Sequence, residues 1–282
     1  MAVSVEIINQ SMDKELSLKS IVGDNLVIGS YDDNWRFQSG KAGDNMAVFD
    51  PTRPGRSIGI KLNPKDRYKI TAYLNFPAAE HDVELFVEVV KRVATDWGAV
   101  IKNPENEYMP PEVFAANENK IKDFNIDSLK QAAQNILDGK ADSFCVFAAF
   151  WPLYMGKDEA QKFITDPSDF DEWLRSKQDT DAFYSGVSFY KNDEGIMGSY
   201  AIVSDTEYVF PKKPRIPFGL GVDGKPLECS NFKVALGNEK EMLGILDFDE
   251  FLKKLPKDKV SDYDLNDILI GPFTEEEIKA FL

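Results

Sequence analysis

The residues from which nucleophilic or metal chemistry is most often built are scarce in this chain. It holds one histidine, His81, and two cysteines, Cys145 and Cys229. A Cys–His pair needs a thiolate beside a general base, and a structural zinc site needs four such ligands. One imidazole and two thiols far apart in sequence do not supply a zinc set. Cys145 lies in SFCVFAAF, where a cysteine behaves as a small hydrophobe. His81 stands between Glu80 and Asp82 in the first turn of an amphipathic helix, an ordinary surface setting. The chain carries no G-x-S-x-G, no Walker loop and no H-E-x-x-H. No catalytic residue, metal ligand or cofactor is assigned, and the weight falls against an enzyme.

Two further segments resemble known motifs and fail at the positions that matter. Gly219 to Gly224 fits G-x-G-x-x-G, which grips pyrophosphate only between a strand and a helix N-terminus. Here prolines Pro214, Pro217 and Pro226 surround it, so a glycine-rich turn is expected. Asp262-Tyr263-Asp264-Leu265-Asn266-Asp267 opens like a calcium loop. Its sixth position is Asp267 rather than glycine, and its twelfth is Phe273 rather than glutamate. A solvated acidic turn is expected there.

One cluster of charge runs against its background. The net charge is −15, which argues against general binding to nucleic acid or anionic membranes, since both need gathered positive charge. Yet between Arg53 and Lys69 stand Arg53, Arg56, Lys61, Lys65, Arg67 and Lys69 against a single acid, Asp66. Strand alternation puts Lys61, Arg67 and Lys69 on the face away from the core. Arg53, Arg56, Lys61, Arg67 and Lys69 are therefore the candidate anion- or partner-binding residues. Arg56 would make bidentate contacts, with the lysines steering. The plainer reading is a solvated sheet face or edge, guarded from aggregation by its charge.

These residues need elements to hold them. Residues 67–101 read as strand, helix and strand. Tyr68, Ile70, Ala72, Leu74 and Phe76 recur at period two. Val83, Phe86, Val87, Val90, Ala94 and Trp97 make a helical stripe, and Gly98 is placed to end the helix. The result is a split or simple βαβ unit. Residues 3–8 alternate as a first strand. Leu16 and Leu18 extend a short β region. Met46–Phe49 and Ser57–Leu62 are two more strands, separated by the Pro54-Gly55 turn. Asn25–Ile28 is a further short strand, and 31–45 a loop.

Beyond residue 103 the reading is helices and short strands. Asn125 would cap a helix carrying Ile126, Leu129, Ala133 and Ile136. The apolar run from Ser143 to Tyr154 would be a central strand buried on both faces. Two helices follow, split at Asp166-Pro167. Strands at 182–190 and 196–210 would pair around a turn at Asn192–Gly195. A strand at 232–236 and a helix at 248–255 come next. Thr274 and Glu277 form a capping box before the last helix, with Phe273 and Ile278 as its hydrophobic staple. The expected fold class is α+β, with mainly antiparallel sheets in two lobes, 1–124 and 125–282, forming one body.

The stretches DPTRPGRSIGI, LNFPAAEHDVELFVEVV, GSYAIVSDTEYVFPKKPRIPF and YDLNDILIGPFTEEEI together resemble a family of uncharacterised bacterial proteins of about this length, found mostly in Gram-positive bacteria. The resemblance spans the chain. It implies a bacterial, cytoplasmic protein and carries no activity with it. Two free cysteines fit a reducing compartment, MAVSVEIINQ does not read as a secretory signal, and no apolar run is long enough to span a bilayer. The leading expectation is a non-enzymatic interaction protein, an acidic immunity-like or inhibitory protein that binds a basic protein partner. The alternative is an enzyme or small-anion binder that uses the Arg53–Lys69 face.

Overall fold

The computed structural model describes every residue except 13, 42, 194, 223, 224 and 230. The chain forms two compact units. One comprises Met1–Asp32 with Phe37–Asp179, the other Asp33–Arg36 with Thr180–Leu282. The division thus falls after Asp179 rather than after residue 124.

The first unit begins with β1 (Ala2–Asn9), α1 (Leu18–Val22), β2 (Val27–Tyr31), β3 (Phe37–Ser39), β4 (Asn45–Phe49), β5 (Ile58–Leu62) and β6 (Lys69–Asn75). Then come α2 (Glu80–Trp97), β7 (Ala99–Lys102) and β8 (Tyr108–Met109). The strands make one sheet in the order β3-β2-β4-β5-β6-β1-β7-β8. β1 is antiparallel to both β6 and β7. It therefore lies between two strands parallel to each other, so the βαβ unit is the split form. Alternation sends Ile7, Ile70, Ala72, Leu74 and Ile101 to the helix side, each nearly or fully buried.

α2 ends where glycine lets it. Gly98 adopts φ 65 and its N–H reaches the Ala94 and Thr95 carbonyls, the left-handed ending that costs other residues most. The helix is buried over more than the expected stripe. Leu85, Val89 and Val93 are also inside, because α1, α3 (Pro111–Ala115) and α4 (Glu118–Leu137) pack on its remaining sides. Each buried valine or phenylalanine contributes about 1.5–3 kcal/mol relative to exposure, so this helix anchors the unit.

Three expectations in this unit are corrected. Leu18 opens a helix, not a strand, because Ser17 caps it by accepting from the Lys19 amide at 3.2 Å. Arg92 donates to the Ser20 and Ile21 carbonyls and secures that helix onto α2. Asn125 is not a cap but sits inside α4. Its side chain donates to the Ala78 carbonyl and accepts from the Ala78 amide, both at 2.8 Å. With the Phe76–Phe124 ring contact, this ties α4 to the first unit, which is why no boundary falls at 124. The run from Ser143 is a hairpin, β9 (Phe144–Phe147) and β10 (Pro152–Met155), rather than a central strand. Its Phe150 meets Phe37 and Phe49. α5 (Lys157–Thr165) and α6 (Asp169–Gln178) complete the unit.

The second unit has β11 (Phe183–Tyr184), β12 (Ser188–Asn192), β13 (Gly195–Val203), β14 (Tyr208–Pro211), β15 (Gly221–Val222) and β16 (Lys225–Pro226). β17 (Asn231–Gly237), β18 (Met242–Asp247), α7 (Phe248–Lys254), β19 (Val260–Asp262), β20 (Asp267–Ile270) and α8 (Glu275–Phe281) follow. They form sheets ordered β12-β13-β17-β18 and β11-β14-β20-β19, plus the β15–β16 hairpin. β12 pairs with β13 around the expected turn, whose Glu194 lies outside the described residues, but the expected strands 182–190 and 196–210 each divide, and β11 and β14 pair in parallel in the other sheet. Stacked rings of Phe210 and Phe248 and edge contacts of Phe251 and Phe281 fill the core. The Thr274–Glu277 capping box is present, and Phe273 and Ile278 are fully buried beside it. Both units combine helices with mainly antiparallel sheets, so the fold is α+β.

The acidic turn is not solvated as a whole. Asp262 is exposed, but Asp264 and Asp267 are buried. Asp264 Oδ1 accepts from the Asn266 and Asp267 amides at 2.8 Å. Asp267 meets Arg215, whose second nitrogen donates to the Tyr184 hydroxyl at 2.6 Å. A charge this deep persists only when paired, and Arg215 stands too far away in sequence to be read as its partner. Gly219–Val222 leads into a hairpin, not a helix; Asp223 and Gly224 of that motif lie outside the described residues. Among the described residues, no helix is long and apolar enough to cross a membrane.

Candidate functional site

The five basic candidates do not form one face. Arg56 is 4% exposed. Its guanidinium donates to the Pro77 carbonyl at 2.9 Å, and its amide donates to Asp82 Oδ2 at 2.8 Å. Burial lowers its pKa to about 10, against the pull of Asp82. Arg56 is thus an internal strut of the turn before β5 and cannot offer the bidentate surface contact expected of it. Arg53 is exposed nearby, and Lys61 is exposed on β5. Lys69 pairs with Glu6 at 2.8 Å, and Lys102 reaches the same carboxylate at 3.3 Å. Lys69, then Lys102, hold the Glu6 carboxyl below its ordinary range against the effect of burial.

Arg53 belongs to a polar cluster at the start of α2. His81 stands 3.4 Å from Asp50 and 3.9 Å from Glu84. Asp82 accepts from the Arg56 and Ala79 amides. Burial still lifts its carboxyl to about 7, because two amide bonds recover only part of its lost hydration. Asp171 accepts from the Glu80 amide with both oxygens, at 2.9 and 3.1 Å. Lys122 meets Glu80, Glu84 and Glu118, and with smaller help from His81 and Arg53 it holds Glu84 low. Asp82 and Asp171 satisfy the Ala79 and Glu80 amides at the helix terminus from within the chain. The cluster fastens α2 and α6 together. His81 faces carboxylates, and Cys229 donates to the Asn231 carbonyl at 3.4 Å. Among the described residues, no three His, Cys, Asp or Glu side chains gather as a metal site.

Arg67 and Lys69 are brought to a different place. They line a groove of about 770 Å³ where the ends of β4, β5 and β6 meet the segment that runs into α1. Its apolar lining comes from Leu16, Leu18, Met46, Leu62 and Ile70. Its charged residues are Lys14, Arg67 and Lys69, with Glu15 and Asp44. The volume lies within the roughly 300–1,000 Å³ of small-molecule sites. Arg67 stacks on the Tyr68 ring at 4.9 Å and donates to its hydroxyl at 2.7 Å. It has no carboxylate at ion-pair distance among the described residues and is fully exposed.

Described residues of the groove's lip are tied to Asn9 and Trp97, and sequence reasoning missed this. Asn9 is 1% exposed. Its Oδ1 accepts from the Ser11 and Met12 amides, and its Nδ2 donates to the Lys14 carbonyl at 2.9 Å. Trp97 donates to the same carbonyl at 2.9 Å. Met12 is held at φ 57, a conformation that costs a non-glycine residue. The surroundings impose this geometry on the lip. An asparagine at a strand end was the one visible signal, and nothing in the local sequence linked it to Lys14.

The matched family model is described as a domain of unknown function (DUF4299) and covers residues 2–281. The chain belongs to that family. The expected membership of an uncharacterised family therefore holds. No curated protein and no solved structure matches the chain.

Proposed function

We propose that this DUF4299 protein is a non-catalytic binding protein that holds a small anion with an apolar part in the groove of its first unit. The observation that carries the proposal is Arg67. In a chain of net charge −15, it stands unpaired by any described carboxylate, at the mouth of an apolar-lined groove. A guanidinium already stacked on a ring is pre-set for planar recognition of a carboxylate. The polar side chains lining the groove are Lys, Arg, Glu, Asp, Asn and Tyr. That set suits binding better than nucleophilic catalysis.

Thermal shift tests the reading. Octanoate is expected to raise the midpoint by mass action, octanol to raise it less, and Arg67→Ala to reduce the octanoate effect toward that of octanol. Equal effects of octanoate on wild type and variant would contradict it.

The charge supports a second reading, in which the acidic surface meets a basic protein partner in the cytoplasm. Both cysteines are free, which suits that compartment. Such an association would weaken steeply between low and moderate salt, and a salt-insensitive complex would contradict it.

A further inference from the structure

The groove carries acids as well as cations, and this narrows what it would hold. Glu15 and Asp44 both line it and both are exposed. Neither carboxylate makes an ion pair with a described residue. Lys69 already has Glu6, and the Lys14 ammonium donates to the Asp96 carbonyl at 3.1 Å. Glu15 attracts Arg67 through space, and the groove presents one guanidinium and two carboxylates, none in an ion pair among the described residues, around an apolar lining. A simple anion would satisfy Arg67 and leave two negative charges beside it. A ligand bearing both signs would satisfy all three groups.

Resting on the binding reading above, we propose that the ligand is a short apolar peptide with free termini, its carboxylate on Arg67 and its ammonium between Glu15 and Asp44. Charge complementarity selects the termini, and the leucine, isoleucine and methionine lining selects the side chains. Size selects a peptide over a single amino acid. The groove's 770 Å³ equals roughly 25 water volumes, more than one amino acid fills and fit for a di- or tripeptide. The Lys14 carbonyl in the lip accepts from both Asn9 and Trp97, and a backbone held in place this way reduces the ordering entropy lost when the peptide binds.

The test is calorimetric titration of the full chain with trileucine, N-acetyl-trileucine, trileucine amide and octanoate. Trileucine is expected to bind about fivefold more tightly than its N-acetyl form, as exposed charge pairs allow. Glu15→Gln with Asp44→Asn is expected to erase that difference, while octanoate, relieved of two nearby negative charges, is expected to bind at least as tightly as to the wild type. These residues are exposed, so the double variant is expected to fold, and circular dichroism checks it. If the acetylated and free peptides bind equally while octanoate binds through Arg67, the peptide assignment is overturned and the anion reading stands. If neither octanoate nor any peptide binds, both fall.

Discussion

At the scale of residues, the contrast between Arg56 and Arg67 decides the account. Both were candidates for anion recognition, and both follow a turn. Arg56 is consumed inside the fold, whereas Arg67 is left at the surface without a carboxylate. Asn125 shows the same dependence on distant chain. It satisfies both polar groups of Ala78, so Asn125→Ala should cost about 2–4 kcal/mol by leaving them buried and unpaired. Urea unfolding would measure the loss. Asp82 makes a prediction about pH. An acid whose folded pKa is raised, from 3.8 to about 7, keeps a proton in the folded chain that the unfolded chain has released. That contribution favours folding at low pH and is lost as pH rises from about 4 through about 7. Asp82→Asn can still accept both amides through its oxygen, so its stability should fall less across that window than that of the wild type. Parallel urea titrations at pH 4.5 and 7.5 would show it, and identical slopes would contradict it. The roles of Arg56 and Asn125 were not legible in the sequence, since each rests on partners at least 21 positions away; Asp82 takes one amide from nearby Ala79 but its other from Arg56, 26 positions off.

At the scale of elements, what could be read was what is periodic. The α2 stripe, the β6 alternation and the capping box at Thr274 are local patterns, and each stands in the structure. The run from Ser143 to Tyr154 has no period, so a buried strand and a buried hairpin look alike in it. The start of α4 was misplaced because Asn125 has the chemistry of a cap while its actual partner lies across the core. Gly98 was legible because a left-handed ending nearly specifies its residue. Gly98→Ala should cost about 1–2 kcal/mol. A Cβ there meets nothing within 4 Å, so the cost is backbone strain rather than a clash, and a thermal melt would show it. At the groove, the lip between β1 and α1 depends on Asn9. Asn9→Ala should weaken octanoate binding more than a surface change of equal stability cost, because it releases the conformation of Met12 and Lys14.

At the scale of the whole molecule, charge is the dominant property. A net −15 implies self-repulsion in the folded state, which salt screens. Raising ionic strength should therefore raise the melting midpoint while weakening octanoate binding, two opposite responses to one variable. A binding site that strengthened with salt would not rest on Arg67. Composition made the acidity legible. The groove was not legible, because its lining comes from three separated regions of chain, 12–18, 43–46 and 62–70. The most direct measurement is a methyl NMR titration with octanoate, using assigned methyl groups of Leu16, Leu62 and Ile70. The account predicts saturable shifts at these three positions, with affinity about fivefold lower in Arg67→Ala. Shifts confined to other parts of the chain, or none at millimolar octanoate, would contradict it.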